Sequence, residues 1–489
     1  MMLGVTPPPP TALHSSARTS ASVALGEDTL QKALRINLDP RWYGTVAEIG
    51  AGQEVARWFF RAGGAAGTIA KSMSAYDMAV SDAVYGRSER YVSRGRLQAM
   101  LDHELDLDID RLTTSRGDDT CFFAFADTVV ARSYRGGNEC HGWMGVKFQA
   151  HPRDEPSQVV LHVRMLDDDA GLQQEALGIV GVNLLHAAFF ERDEPGRFVA
   201  SLLDRLSTGR IEIDMISFSG IEFRRVDNRL MALELVHLGL SGVAMFGPDR
   251  QVIQPSEALR KHAVLVERGS FRPPTVVNMD MLECAREEFE RDPAVAGRPI
   301  LTLTELTMRN LLAGGQDVDR RDFLARVDLL AACGMTVLIS DYYEYHRLAA
   351  YLAWRTSERI GMVMGVPSLR DLFDEKDHAH MPGGILETFG RLFKNELKLF
   401  VYPMQDLDDG RVVTVDDLQV GPELQPLFDY LAGRGSFVHL DGYKPEYLPI
   451  LSRDVLRRIK DGDESWTSMV PPAVADLIRE RCFFGYSGA

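Results

Sequence analysis

Thr336-Val337-Leu338-Ile339-Ser340-Asp341-Tyr342 is a short β-branched and apolar run that stops on small polar residues. Helical spacing flanks it on both sides, from Arg321 to Cys333 and from Glu344 to Arg355. A buried strand set between two helices pairs with its neighbours through crossovers, so a repeat of this unit predicts a parallel sheet. The unit does repeat. Strands are predicted at Ile300–Leu303, Ile360–Val366 and Leu397–Tyr402, alternating with helices at Leu306–Leu312, Leu369–Glu375, Ile385–Phe393 and Glu423–Arg434. Residues 293–489 therefore read as a doubly wound, mainly parallel, Rossmann-like sheet domain with a helical tail. Trp466, Phe483, Phe484 and Tyr486 are too apolar to leave that tail in water.

Upstream the texture changes. Thr120–Ala131, His141–Ala150 and Gln158–Leu166 are rich in Phe and Val, with turn residues at 135–138 and 152–156, which predicts adjacent antiparallel strands. Helices at Leu172–Phe190, Arg197–Leu206 and Asp227–Leu238, with strands at Arg210–Phe218, Gly242–Phe246 and Ala263–Glu267, complete a mixed α+β domain over 26–292. Pro293 to Gly297 marks its predicted end. Residues 1–25, with Pro7 to Pro10 followed by Ser, Thr and Ala, read as a disordered lead-in. The fold class is thus α/β, a mixed N-terminal domain before a doubly wound one. From Leu97 to Leu112 apolar residues recur at helical spacing, with Asp102, Glu104, Asp106, Asp108 and Asp110 expected on the watered face.

The chain has 489 residues, 45% of them hydrophobic and 25% charged, ordinary values for a globular protein with full cores. Seventy acids against 54 bases leave a net charge of −16, which argues against broad nucleic-acid or anionic-membrane binding. Five cysteines, far apart and without a CxxC pair, read as a reduced, cytosolic protein. No secretory signal is visible at the N-terminus, and the apolar stretch Ala176 to Phe190 is broken by Asn183 and His186, so it reads as a buried helix.

Several stretches carry candidate chemistry. Glu48-Ile49-Gly50-Ala51-Gly52 lies between a strand and a helix and superficially resembles the first motif of methyltransferases over fewer than ten residues, but Glu54 replaces the usual third glycine, so it reads first as a tight strand-to-helix turn. Gly63-Gly64-Ala65-Ala66-Gly67, followed by Lys71 and Ser72 on a predicted helix, offers backbone amides to a phosphate, although the lysine is misplaced for a P-loop. Arg87, Arg90, Arg94 and Arg96, with Tyr85 and Tyr91, suit an anion or mutual ion pairing. Glu222 to Arg229 offers the same choice, and so does the loop holding Arg268, Gly269, Ser270 and Arg272. His378-Ala379-His380 beside Asp374, Glu375 and Asp377 is the one dense donor group, yet its spacing does not suit one helical face, and no metal site is assigned. Cys140 and His141, adjacent on a strand, point apart and do not make a dyad.

In open α/β sheets ligands settle beyond the carboxyl ends of the strands, near the point where crossover directions diverge. Those ends hold Thr304 and Glu305, then Ser340, Asp341 and Tyr342, then Gly365 and Ser368, with Gly383 and Gly384 opening a further helix. Asp341 is the candidate acid, base or metal-linked group and Glu305 its partner. Arg268 and Arg272 are the anion clamps, with Ser270, Tyr342, Ser368, Gly383, Gly384 and Lys71 as further ligand contacts.

Gly384 to Lys394, Val337 to Tyr345, and Trp466 to Pro472 with Phe484-Gly485-Tyr486 resemble a bacterial protein family from about residue 40 onward. Its members carry the label nicotinate (nicotinamide) nucleotide adenylyltransferase or TonB-dependent receptor. The first label implies an HxGH phosphate motif, and no histidine here is followed by xGH. The second implies an exported β-barrel, at odds with this helix-rich pattern. The resemblance thus implies nucleotide chemistry and names no residue for it. The expectation is an enzyme, a nucleotide- or phosphometabolite-linked transferase, acting on a small anionic metabolite between two domains, its cofactor unassigned, without nucleic-acid or membrane partners and with homo-oligomers open. The alternative is a non-catalytic ligand-binding, self-assembling or regulatory protein.

Overall fold

The computed structural model describes residues 26–132, 139–312, 315, 317–406 and 409–487; the lead-in 1–25 and the turn 135–138 lie outside them. The chain forms two compact units that divide at Gly242 and Val243, not at the expected 292/293.

The first unit is built on six strands: β1 Trp42–Ile49, β2 Ile69–Met73, β3 Cys121–Val130, β4 His141–Phe148, β5 Ser157–Met165 and β6 Ile211–Ser219. Their order is β2-β1-β3-β4-β5-β6, with β1 parallel to β2 and β3 and the remaining pairs antiparallel. One face packs Phe123, Phe125, Val146 and Leu161 against helices including Ala170–Phe190. That helix is buried nearly all round, as its apolar length predicts, and its Asn183 donates to the carbonyls of Leu202 and Asp204 at 3.0 Å each while accepting from Lys32 Nζ at 3.0 Å. The helix Arg94–Arg116 packs along β1, β3 and β4. Here the expectation fails in part: Glu104 and Asp108 are buried rather than watered. Lys71 and the Tyr85 hydroxyl converge on Glu104, and Thr45 Oγ1 donates to Asp108 at 2.8 Å, so each inward acid has polar partners that a helical wheel does not show.

The second unit holds β7 Val243–Phe246, β8 Val252–Ile253, β9 Ala263–Arg268, β10 Ile300–Thr307, β11 Thr336–Ser340, β12 Ile360–Gly365, β13 Lys398–Tyr402 and β16 Phe437–His439, with β14 Met404–Gln405 and β15 Val412–Val413 forming a small separate hairpin. The order of the large sheet is β16-β13-β12-β9-β10-β11-β7-β8, parallel from β16 to β11 and antiparallel at β7 and β8. The parallel alternation predicted from the sequence is present, and its central strand is β9, which lies upstream of the expected boundary. From β9 the chain builds outward to β10 and β11, then crosses to β12, β13 and β16 on the other side. Val264, Val266, Leu303 and Leu338 pack one face against helices after β11, β12 and β13, among them Tyr345–Arg355 and Gly384–Leu392. On the opposite face Leu265 and Phe400 meet the helix Val276–Glu290. Trp466 is fully buried with Val455, Val474 and Leu329, and Phe483, Phe484 and Tyr486 pack beside them, so the aromatic tail does dock.

Candidate functional site

The crossovers change direction at β9, to β10 and β11 on one side and to β12 and β13 on the other, which makes the carboxyl ends of β9 and β12 the natural crevice of the second unit. A cavity of about 270 Å³ opens there, lined entirely by this unit. Arg268 and Thr307 reach it from the ends of β9 and β10, Tyr343 and Tyr345 from the segment after β11, and Ser368 and Asp371 from the helix Val366–Leu372. Asp374, Asp377 and His378 complete the wall from the turn that follows.

The floor is a buried ion pair. Glu305, with no solvent exposure, accepts from Arg268 Nε at 2.8 Å and Nη2 at 3.0 Å, and from Ser340 Oγ at 2.5 Å. Arg268 Nη2 also donates to the Tyr342 carbonyl at 2.8 Å, Nη1 donates to the Tyr343 carbonyl, and the guanidinium lies 4.3 Å from the Tyr345 ring centroid. A guanidinium has five N–H donors, and this one spends four of them on the protein. Burial raises the Tyr345 hydroxyl above its ordinary pKa, so it stays protonated. Glu344, Asp371, Asp374 and Asp377 supply negative charge around this neutralised floor.

The structure therefore brings Arg268, Glu305, Tyr342 and Ser368 to one place, with Arg268 and Ser368 on the cavity wall. Glu305 is locked beneath Arg268 and has no path to a ligand. Asp341 is exposed and outside the cavity lining: β11 ends at Ser340, whose hydroxyl turns inward onto Glu305, and Asp341 is the first residue past the strand. Ser270 accepts from Arg326 through its carbonyl at 3.2 Å, and Arg272 Nε stands 2.6 Å from Asp322 Oδ1, an internal ion pair. Gly383 donates to Glu387 at 2.9 Å and Gly384 begins the helix whose Thr388 lines the cavity. Asp371, Asp374, Asp377 and His378 line this cavity; the sequence singled out Asp374, Asp377 and His378 only by donor density, and Asp371 not at all. Among the described residues no cluster of three or more ligating side chains could hold a metal.

In the first unit, candidate sites are filled by the chain itself. Glu48 accepts from the amides of Val55 at 2.9 Å and Ala56 at 3.1 Å, so its own carboxyl occupies the helix N-terminus where a phosphate would sit. Burial pushes Glu48 up to about 7, and its register partner Asp127 is raised well above the carboxylate range by burial and then by Glu48. Gly50 has φ 107°, and a Cβ there would lie 2.0 Å from the Val129 carbonyl oxygen, which explains the glycine without a ligand. Gly50→Ala is accordingly expected to destabilise the first unit by about 1–3 kcal/mol, read as a lowered urea midpoint. An unchanged midpoint would refute this account of the turn. Lys71 lies on strand β2, not on a helix, and is paired with Glu104. Arg96 is buried beside Asp82 at 3.1 Å, and Arg229 pairs with Asp227 at 2.7 Å. His141, read beside Cys140, instead meets His162 at 3.0 Å, which in turn bonds Asp214 at 2.5 Å.

No protein-family model matches the chain, and no curated protein matches it. Among solved structures, the competence/damage inducible protein CihA from Agrobacterium tumefaciens is 18% identical over 33% of this chain and 96% of its own, with a TM-score of 0.24. A competence-damaged protein (CinA) superfamily protein from Klebsiella pneumoniae is 14% identical over 34% of this chain and 99% of its own, with a TM-score of 0.25. At TM-scores this low the likenesses bear on neither fold nor function. No helix among the described residues is long and apolar enough to cross a membrane.

Proposed function

We propose that the second unit binds, and acts on, a small metabolite rich in hydroxyl or amino groups, a nucleoside in class, in the cavity at the ends of β9, β10, β11 and β12. The observation that carries this reading is the ring of Glu344, Asp371, Asp374 and Asp377 around an Arg268 whose donors are mostly spent. Carboxylates accept hydrogen bonds from a ribose diol or an amine and repel a phosphate, so a nucleotide would be gripped by its sugar, with its phosphates outside. Tyr343 and Tyr345 offer ring surface to a base. A volume of about 270 Å³ lies just below the usual range of ligand pockets and suits a compact molecule. Five free thiols fit a reducing compartment, which we propose as its location.

Thermal unfolding with a ligand panel tests this. Adenosine and putrescine are expected to stabilise the second unit, by about 2.7 kcal/mol at 100 times the dissociation constant. 2′,3′-Dideoxyadenosine, inorganic phosphate and ribose-free bases are expected to leave it unmoved, and Asp371→Asn to abolish the adenosine shift. A shift with phosphate, or none with any hydroxylated or aminated compound, would overturn the assignment.

A further inference from the structure

His378 is 5% exposed, lines the same cavity, and is held by one directional bond: its Nε2 lies 2.8 Å from the carbonyl oxygen of Leu372. Leu372 is the last residue of the helix Val366–Leu372, whose terminal carbonyls have no partner within the helix, so the bond satisfies both groups. A carbonyl can only accept, and Nε2 must therefore carry the hydrogen. In the neutral ring the lone pair is then left on Nδ1. The turn that carries it, Glu375–His378, is held by Asp374, whose Oδ1 accepts from the Lys376 amide at 3.0 Å, and the Phe389 ring centroid stands 6.3 Å from that of the imidazole.

We propose that His378 is the oriented hydrogen-bond acceptor of the cavity, receiving through Nδ1 an O–H or N–H of the bound ligand. This rests on the nucleoside reading of the cavity and sharpens it, because a carboxylate selects any donor whereas an acceptor fixed in direction selects one oriented donor at one place. A hydroxyl there meets a lone pair already aimed by the Leu372 carbonyl, which rejects a ligand presenting an ether or carbonyl oxygen at that position.

Nitrogen-15 spectra of histidine-labelled full-length protein, with adenosine and 3′-O-methyladenosine as probes, test the assignment. The free protein is expected to show His378 with a protonated Nε2 and a bare Nδ1, and adenosine to shift the Nδ1 resonance. His378→Gln keeps an amide N–H for Leu372 and loses the Nδ1 acceptor, so its affinity for adenosine is expected to fall about tenfold with the fold intact. A protonated Nδ1 in the free protein would overturn the proposal before any ligand is added. If adenosine binds in an Asp371-dependent manner while His378→Gln leaves affinity and the parent's Nδ1 resonance is unmoved, the proposal falls and the cavity reading stands. If neither adenosine nor any other panel compound binds the parent protein, both fall together.

Discussion

Glu305→Gln is expected to cost the second unit about 3–5 kcal/mol, the range measured when one partner of a buried pair is removed. Glu305 has no exposed surface and takes two bonds from Arg268, whose side chain is 11% exposed. Arginine cannot shed its proton to escape the mismatch, and the new amide group would set donor against donor beneath the cavity. Urea unfolding followed by Trp466 fluorescence would show a lower midpoint at an unchanged slope, and adenosine binding would weaken because the Tyr342 and Tyr343 carbonyls lose their anchor. Replacing the pair by Glu305→Leu with Arg268→Met is expected to recover much of the loss, as buried pairs exchanged for apolar groups often do. A single-variant loss below about 1 kcal/mol would show that the pair is not the keystone of this end of the sheet.

Glu267→Gln is expected to act in the opposite direction. Glu267 ends the same strand on the other face, is 2% exposed, and accepts from Asn278 Nδ2 at 2.6 Å through one oxygen while the other has no partner. Burial pushes its carboxyl from an ordinary 4.5 up to about 8. The folded chain thus keeps a proton that the unfolded chain releases above pH 4.5, so the stability present below that pH drains away as pH climbs toward 8. At pH 7 the penalty is on the order of 3 kcal/mol. The glutamine variant should be the more stable protein at pH 7 to 8 and should lack this part of the pH slope. Parallel slopes for the two proteins between pH 5 and pH 8 would reject the assignment.

The parallel alternation was legible because each strand of the second sheet is a short apolar run bracketed by helical spacing. The boundary was not, since β7 and β9 follow a series of antiparallel strands, and nothing local in Val243–Phe246 or Ala263–Arg268 says which sheet will accept them. Strand ends pointed to Arg268 and Ser368, yet the acid they offered, Asp341, lies just past the strand in an exposed bend, whereas Ser340, the last residue of β11, is the group turned onto Glu305. Three of the cavity acids, Asp371, Asp374 and Asp377, lie beyond β12 on a helix and turn whose facing depends on how that helix docks. Glu104 and Asp108 hid for a related reason, because their partners Lys71, Tyr85 and Thr45 come from segments far away in the chain.

The large sheet ends on one side in β8, of two residues, and on the other in β16, of three. A row of amides that brief cannot template a foreign strand, so this sheet carries built-in protection against ladder-wise polymerisation. Lengthening either rim by strand-forming residues would remove that protection and offer a second copy a ladder to extend.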